Sequence, residues 1–257
     1  MTLCIMWKQD NIVHFASDSR VTTLSNSYAD VAIKVLSVPF KISVFTTFNK
    51  PSKLYSVGEL GMCFAGSSIN SLFLKESLIE TLKYLDVTPN YSEQYFKNLI
   101  PILFKQYSDI SKSICKTALG EKGRAEIFLS GSMEEDNGDL ITYKFSTDSE
   151  NKSSSEEVLK NNDEYLLSGT GSIQAEKLLS KIKSPSTNDY LSVLMAIIND
   201  DNFDDVGGEV QYGTFVNGEF IIYQVVEKLL SSFKATSYYS DSEGFSFYRP
   251  VYVMNFP

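Results

Sequence analysis

The sequence predicts an α+β fold: a four-layer αββα sandwich of two stacked, mainly antiparallel sheets with helices on both outer faces. The apolar patterns follow the order strands, two helices, strands, two helices, strands. Asn-Gly pairs at 137–138 and 217–218 mark hairpin turns. No βαβ alternation recurs, which disfavours a doubly wound parallel sheet. We expect the 257 residues to form one domain with this layering.

The chain opens with a predicted β-hairpin and continues with further strands. Apolar residues 2–8 and the alternating run 12–18 flank the polar turn Gln9-Asp10-Asn11, which is the pattern of a hairpin. The next predicted strands are Ile33–Val38, 42–47 and 60–65.

Two pairs of helices are predicted in the middle and late parts of the chain. A period near 3.6 predicts one helix from about Ser68 that ends before Pro89, and a second from Ser92 to about Ile110. The later pair is predicted at 172–183 and 187–198. The remaining predicted strands are 125–129, 140–145, 165–167, 210–215 and 220–226, and the polar stretch 147–162 is expected to be a solvated loop.

Composition excludes several classes of function. The net charge is −9 and the basic residues form no block or stripe, so we expect no nucleic-acid partner. Cys4, Cys63 and Cys115 are scattered without CxxC spacing, which favours a reducing cytoplasm over a disulfide framework. No stretch approaches the roughly 20 apolar residues of a spanning helix. Lys8-Gln9-Asp10 interrupts the first apolar run, so neither a membrane span nor a secretory signal is expected.

The single histidine, His14, excludes most nucleophilic mechanisms. A Ser-His-Asp or Cys-His pair would need His14 as its base, and the sequence contains no GxSxG motif to partner it. We expect His14 to be a partly buried strand residue. The sequence also lacks zinc ligand sets, GxGxxG and Walker A patterns, so we expect neither a metal nor a cofactor.

One nucleophilic mechanism needs no histidine. A threonine at the chain terminus carries its own base, because its free α-amine has an ordinary pKa of about 8 and is partly neutral at physiological pH. Thr2 becomes that terminus if Met1 is removed, and a small second residue favours this removal. Threonine is common at position two, so the interpretation depends on its neighbours.

Asp18 and Lys34 are suitable neighbours for such a nucleophile. Asp18 closes the predicted second strand, and Lys34 stands in the apolar run 32–36, where an unpaired lysine is unusual. An ammonium near the terminal hydroxyl would lower the hydroxyl pKa and favour the neutral amine, and a carboxylate would hold that lysine in place. Each residue alone is more typical of a surface salt bridge, and the combination is what predicts a site.

These residues resemble the pattern of the proteasome β subunits and their bacterial relatives, the heat-shock protease subunit and Anbu. That pattern is a terminal Thr, an Asp-x-Arg at the end of the second strand and a Lys in the third. Thr2, Asp18 and Lys34 match it with the family's spacing. In the family a glycine N–H of an Ala-Gly turn forms the oxyanion hole, and Gly66 in the run 64–67 is similar. The resemblance implies the fold of an N-terminal nucleophile hydrolase.

Two later positions resemble the family less closely. The family's Gly-Ser-Gly turn, whose hydroxyl supports the terminal amine, is similar to 169–171, where Thr170 keeps the hydroxyl. In the family's late Asp-x-x-Ser element, Asn202 replaces the aspartate and Asp205 replaces the serine. A carboxylate near the amine would raise the amine pKa. The acidic run 200–205 lacks the glycine and glutamate of an EF-hand, which favours a solvated loop over a calcium site.

The resemblance implies a threonine peptidase that acts on peptide or unfolded protein substrates within a homo-oligomeric ring or related assembly. It also implies an ATPase partner that the sequence does not identify. Two alternatives stay open. One is a non-catalytic structural or regulatory subunit, which is favoured by the departure from the family pattern at Asn202 and Asp205. The other is an amidase for small-molecule amides, because related folds hydrolyse other amides.

Overall fold

Two six-stranded sheets stack face to face, and two helices cover the outer face of each sheet. This arrangement confirms the predicted four-layer αββα sandwich. Among the helices described, none combines the length and the apolar character needed to cross a bilayer. The computed structural model describes residues 2–22, 27–44, 53–83, 85–87, 96–132, 138–227, 239–240, 246–247 and 251–254.

The strands and helices are numbered in chain order. The first eight strands are β1 (Leu3–Gln9), β2 (Ile12–Ser17), β3 (Val21–Thr22), β4 (Tyr28–Ala29), β5 (Val35–Val44), β6 (Lys53–Gly66), β7 (Leu85–Val87) and β8 (Ala125–Gly131). The other strands are β9 (Ile141–Thr147), β10 (Ser153–Val158), β11 (Tyr165–Gly169), β12 (Gln211–Val216), β13 (Glu219–Glu227), β14 (Tyr239–Ser240), β15 (Ser246–Phe247) and β16 (Val251–Met254). The helices are α1 (Ser68–Lys83), α2 (Phe96–Ile114), α3 (Ser172–Leu179) and α4 (Thr187–Ile198).

The first sheet has the strand order β11-β1-β2-β12-β13-β16 and is antiparallel except at β13–β16. Its hairpin β1–β2 turns at Asp10 and Asn11, with φ of 52° and 62°, and β12–β13 turns at Asn217 and Gly218, with φ of 52° and 84°. Two consecutive positive φ values are those of the tight hairpin turn that Asn and Gly favour. Both of these predicted hairpins are therefore confirmed, whereas the parallel edge strand β16 was not predicted. The strands on either side of the third predicted turn, at 137–138, pair antiparallel as β8 and β9, and Asn137 itself lies outside the described residues.

The second sheet has the order β10-β9-β8-β6-β5-β7. Its edge strand β10 corrects a prediction, because the stretch 147–162 was expected to be a solvated loop. Instead, Ser153–Val158 pairs antiparallel with β9 from Ser153–Thr147 to Val158–Thr142. Four consecutive side chains of β10, residues 154–157, are exposed. An edge strand can be held by its backbone ladder alone, so its polar composition gave no period-two signal.

The helices begin close to the predicted positions. α1 starts at Ser68, and α4 covers 187–198 as predicted, with the side chain of Ser186 accepting from the Asp189 N–H in a capping box. α3 ends at Leu179, before the predicted position 183. The predicted start of the second helix at Ser92 lies outside the described residues. A π-helical turn at Cys115–Leu119 and a 3-10 turn at Gly120–Gly123 follow α2.

Strand β1 is buried on both faces, and this fixes the start of the chain inside the protein. On one face, Leu3, Ile5 and Trp7 pack in the cluster beneath α3 and α4. On the other face, Cys4 and Met6 pack in the cluster between the sheets. All five side chains are at most 1% exposed. A strand packed on both sides has little freedom to move, so it gives the preceding residue a fixed position.

One predicted strand boundary is wrong. Lys34 was expected to lie within the third strand, but β5 begins only at Val35, and the four residues 31–34 belong to no strand. Two short strands not predicted from the sequence, β3 and β4, pair with each other before this segment. The backbone of 31–34 is therefore held by partners other than a strand ladder.

Candidate active site

Thr2 lies directly before β1 and is 1% exposed. Its carbonyl accepts a hydrogen bond of 2.9 Å from the Thr170 N–H, and Leu3 pairs with Gly169 across the sheet. Gly169 has φ +97°, and a Cβ there would lie 1.8 Å from the Thr2 carbonyl oxygen. Only glycine permits this approach, so the turn at Gly169 and Thr170 closes against the chain start.

Asp18 follows β2 and is fully buried. One carboxylate oxygen accepts the Leu3 N–H at 3.0 Å, and the other accepts the N–H groups of Arg20 at 3.1 Å and Gly207 at 3.2 Å. Three backbone donors from three separate segments thus converge on one carboxylate. The arrangement places a negative charge beside the peptide that follows Thr2.

Lys34 supplies the opposite charge and is also fully buried. Its Nζ lies 2.9 Å and 3.0 Å from the two oxygens of Asp18. Burying either charge alone would be costly, and a buried pair is stable only when its remaining hydrogen-bonding capacity is satisfied. The three backbone donors to Asp18 meet that condition. Because Leu3 N and Lys34 Nζ share one oxygen, the ammonium stands next to the start of β1.

Arg20 fastens a distant turn against this pair. Its guanidinium forms two hydrogen bonds with Asp30, at 2.8 Å and 3.0 Å, and donates to the carbonyls of Asp204 at 3.1 Å and Val206 at 3.5 Å. It also lies 3.8 Å from the ring centroid of Tyr28. The hydrogen bonds from Arg20 lower the pKa of Asp30. Arg20 therefore positions the turn that presents the Gly207 N–H to Asp18.

Two predicted site residues, Asn202 and Asp205, precede Gly207 in this late turn, and they differ in burial. Asp205 is partly buried and lies two residues before Gly207, whose N–H donates to Asp18. Asn202 is exposed, and its backbone and side-chain N–H groups donate to one oxygen of Asp200 at 3.0 Å and 2.6 Å. The amide of Asn202 is thus engaged within its own turn.

Gly66 ends β6 immediately before the first turn of α1. Its φ is +101°, and a Cβ there would lie 2.6 Å from the Arg124 carbonyl oxygen, so the position requires glycine. Two residues earlier, the Phe64 carbonyl accepts from the Cys4 thiol at 2.8 Å, which joins β6 to β1. A Cβ at Gly169, whose turn closes on Thr2, would also lie 3.5 Å from the Cβ of Ala65, so the Gly66 turn and Thr2 lie at the same end of the two sheets.

The structure therefore brings Thr2, Asp18, Lys34 and Thr170 together, with the Gly66 turn at the same end of the sandwich. Sequence reasoning missed the part played by Gly207, which donates to Asp18 across 189 positions of the chain. The pair Gly207-Gly208 after an acidic run was the available signal. Arg20 completes the Asp-x-Arg pattern at 18–20, and that pattern does not indicate its contacts to the late turn.

Comparison with known proteins identifies the fold. No family model matches the chain, and no curated protein matches it in sequence. Among solved structures it is similar to Anbu (ancestral beta-subunit) from Yersinia bercovieri, with TM-score 0.58 and 12% identity over 86% of each chain. It is similar to the Anbu complex from Pseudomonas aeruginosa, with TM-score 0.60, 13% identity and coverage of 88% of this chain and 87% of that one.

A third similar structure is a Gly-1 mutant of Anbu from Hyphomicrobium sp. strain MC1, with TM-score 0.56 and 10% identity. It covers 87% of this chain and 85% of the other. Identities in this range establish the fold and leave the activity to be argued from the site. The fold resemblance predicted from Thr2, Asp18 and Lys34 is thereby confirmed: this chain has the fold of the Anbu (ancestral beta-subunit) structures.

Proposed function

We propose that this chain is an N-terminal threonine amidohydrolase in which Thr2, after removal of Met1, attacks an amide carbonyl with its hydroxyl oxygen. The observation that carries the proposal is the buried Asp18–Lys34 pair, whose carboxylate also binds the N–H of Leu3, the residue after Thr2. A fully buried lysine paired beside a chain start is an expensive feature for stability alone, since apolar residues can replace such a pair without loss.

The proposed mechanism uses the α-amine of Thr2 as its base. The amine takes the proton of the Thr2 hydroxyl as the oxygen attacks, and it returns a proton to the leaving amine when the acyl-enzyme forms. The Lys34 ammonium disfavours a second positive charge nearby and so favours the neutral amine. Asp18 holds Lys34 in place, and water then releases the acyl group.

Three further residues have assigned roles in this proposal. The Gly66 N–H is the oxyanion donor, a contribution of about 3 kcal/mol to the transition state in comparable sites. The Thr170 hydroxyl supports the amine of Thr2, the residue whose carbonyl accepts the Thr170 N–H. Asp205, two residues before Gly207, is assigned a moderating role, because a carboxylate near the amine would offset the effect of Lys34 on the amine pKa.

Peptides or unfolded polypeptides are the proposed substrates, and the activity is that of a threonine peptidase. Likeness of fold to Anbu supports this class without excluding small-molecule amides, which the same chemistry would cleave. A non-catalytic subunit is the second candidate. It is favoured by one observation, the exposed Asn202 bonded to Asp200 at a position where the family carries a functional aspartate.

Self-association belongs to the proposal as well. The Anbu complex of Pseudomonas aeruginosa forms a helical assembly, and we expect copies of this chain to associate in a ring or related oligomer. All three cysteines are buried free thiols, which agrees with a reducing cytoplasm. Light scattering coupled to size-exclusion chromatography tests the association: a mass equal to a single chain across micromolar concentrations would contradict it.

Hydrolysis assays on the purified chain test the activity. We expect release of a fluorogenic amine from capped peptide amides by wild type, loss of at least about 1,000-fold in Thr2→Ala, and partial activity in Thr2→Ser, which keeps a hydroxyl and an amine. Parallel assays with short acyl amides separate the peptidase from the small-molecule amidase. Equal rates for wild type and Thr2→Ala would contradict the proposal and favour the non-catalytic subunit.

A further inference from the structure

One glutamine holds the backbone that carries Lys34. The side-chain oxygen of Gln211 accepts the N–H groups of Lys34 at 2.8 Å and Val35 at 3.2 Å. Its side-chain nitrogen donates to the carbonyl of Ala32. Both ends of one amide group therefore contact three of the four residues 32–35.

These contacts replace a missing strand partner. Residues 31–34 form no strand, so the backbone beside the buried Lys34 has no ladder partner and needs another one. Ala32 N–H donates to the Ser19 carbonyl at 2.9 Å, and Gln211 satisfies the next groups along the segment. A glutamine amide has the same donor and acceptor as a peptide unit, so the side chain acts as one strand residue would.

Gln211 also ties this segment to the strand that delivers Asp18. It is the first residue of β12 and pairs with Ser17 of β2, the residue immediately before Asp18. The amide that orients the Lys34 backbone thus stands on the strand adjacent to its ion-pair partner. A lysine side chain has four rotatable bonds, so the position of its ammonium depends on a fixed Cα.

We propose that Gln211 is a positioning residue for Lys34, setting the place of the ammonium relative to Thr2 by fixing the backbone of residues 32–35. This role rests on the proposed threonine chemistry, and it acts through Lys34 without contact to substrate. Misplacement of a catalytic group by about 1 Å is enough to reduce a rate about 100-fold. Gln211 therefore affects the chemical step more than it affects the stability of the fold.

Three variants test the role. Gln211→Leu removes both the donor and the acceptor, and Gln211→Glu keeps the acceptor for the two N–H groups but cannot donate to Ala32. Thr214→Val is the matched control on the same strand, because it removes the 3.2 Å hydrogen bond from Thr214 to the Val13 carbonyl, away from Lys34. Melting temperatures of all three identify any general loss of stability.

Two readouts are taken on the full chain. Residue-resolved hydrogen exchange by mass spectrometry follows the Lys34 and Val35 amides, and the rate of Thr2 modification by a peptide epoxyketone is followed from pH 5 to 9. In Gln211→Leu we expect about tenfold faster exchange at both amides. We also expect modification about 100-fold slower, with its pH profile displaced to higher pH. Gln211→Glu should fall between Leu and wild type, and Thr214→Val should match wild type in both.

The outcomes separate this role from the proposed function. Wild-type modification rates and pH profile in Gln211→Leu, despite faster exchange, would reduce Gln211 to a structural residue and overturn the proposal. Unchanged exchange at Lys34 and Val35 would overturn it by removing the contact on which it depends. If wild type itself is never modified, the threonine chemistry fails, and the exchange result still decides whether Gln211 fixes the Lys34 backbone.

Discussion

Strand β1 begins beside a buried ion pair and ends in a stack of aromatic rings. At its start, Leu3 N–H and the Lys34 ammonium share one oxygen of the fully buried Asp18. At its far end, the ring of Trp7 lies 5.0 Å from the ring of His14. Both ends are buried, so their different chemistry does not come from a difference in exposure.

The aromatic end keeps its titratable groups neutral. Trp7 stacks on Tyr190 at 4.5 Å, and His14 Nδ1 lies 2.8 Å from the hydroxyl of Tyr212. Burial lowers the pKa of His14 to about 4 and raises the pKa of Tyr212 above its usual range. The indole N–H of Trp7 is buried with no hydrogen-bond partner among the described residues. This end packs rings and tolerates an unsatisfied donor.

The ion-pair end is built differently, because every contact there supports a charge. Asp18 accepts from three backbone N–H groups in addition to Lys34. Desolvated charges are retained only where their partners are held in place, and a chemical role is one reason to retain them. The contrast shows that burial alone does not mark a site; we expect a buried charge with a complete set of partners, beside a proposed nucleophile, to mark one.

The largest expected effect is at the turn that closes over Thr2. Gly169→Ala would place a Cβ 1.8 Å from the Thr2 carbonyl oxygen, at a φ of +97°. We expect a loss of at least about 5 kcal/mol in the free energy of unfolding, or failure to fold. The matched control is Gly218→Ala, with φ +84° and no atom within 4 Å of the added Cβ. It should lose only about 1–2 kcal/mol, and equal losses in urea unfolding would contradict the account.

The ion pair gives the next largest effect. Lys34→Met leaves the Asp18 carboxylate buried without its counter-charge, so we expect a loss of about 3–5 kcal/mol in the free energy of unfolding. Lys105→Met is the control, because Lys105 and Asp109 form an exposed i,i+4 pair at 2.5 Å. Its loss should be far smaller, because solvent screens an exposed pair. Urea denaturation at pH 7 measures the loss in both variants. Similar losses would show that the buried pair contributes no more to stability than an exposed one.

The aromatic end is expected to make the free energy of unfolding depend on pH. His14 protonates near pH 4 in the folded chain against an ordinary value of 6.5, so the unfolded chain binds more protons between these pH values. Stability therefore falls as pH decreases from 6.5 towards 4, by up to about 3 kcal/mol from this residue. His14→Phe keeps a stacking ring and removes the titration. Between pH 6.5 and pH 4 the free energy of unfolding of His14→Phe should therefore fall less than that of wild type, by up to the contribution of His14. The same dependence on pH in both proteins would contradict the low pKa of His14.

Much of the fold could be predicted from the sequence because the elements that form the core repeat at a regular period. The β1–β2 hairpin, the start of α1 and the bounds of α4 follow from apolar spacing and capping residues. β10 could not be predicted in this way, since an exposed edge strand is held by backbone pairing and carries no apolar alternation. The predicted start of the third strand was wrong at Lys34 for a related reason: a side chain replaces its ladder partner.

The site could be predicted only in part from the sequence, for a different reason. Thr2, Asp18 and Lys34 lie within 33 positions of each other and could be found as a local pattern. Gly207 and Gln211 act from segments far along the chain, and nothing in their local sequence shows which distant group they contact. Local patterns report burial, whereas the partners of a buried charge are decided by the sheet order that brings β12 beside β2.

The central claim is that the buried pair prepares Thr2 as a terminal nucleophile. Its most direct test is mass spectrometry of the intact chain and its N-terminal peptide after treatment with a peptide epoxyketone, which needs both the threonine hydroxyl and a free α-amine. The account predicts a chain that begins at Thr2 and carries one adduct mapped to that residue, with no adduct in Thr2→Ala. A chain that retains Met1, or an adduct that persists in Thr2→Ala, would contradict it.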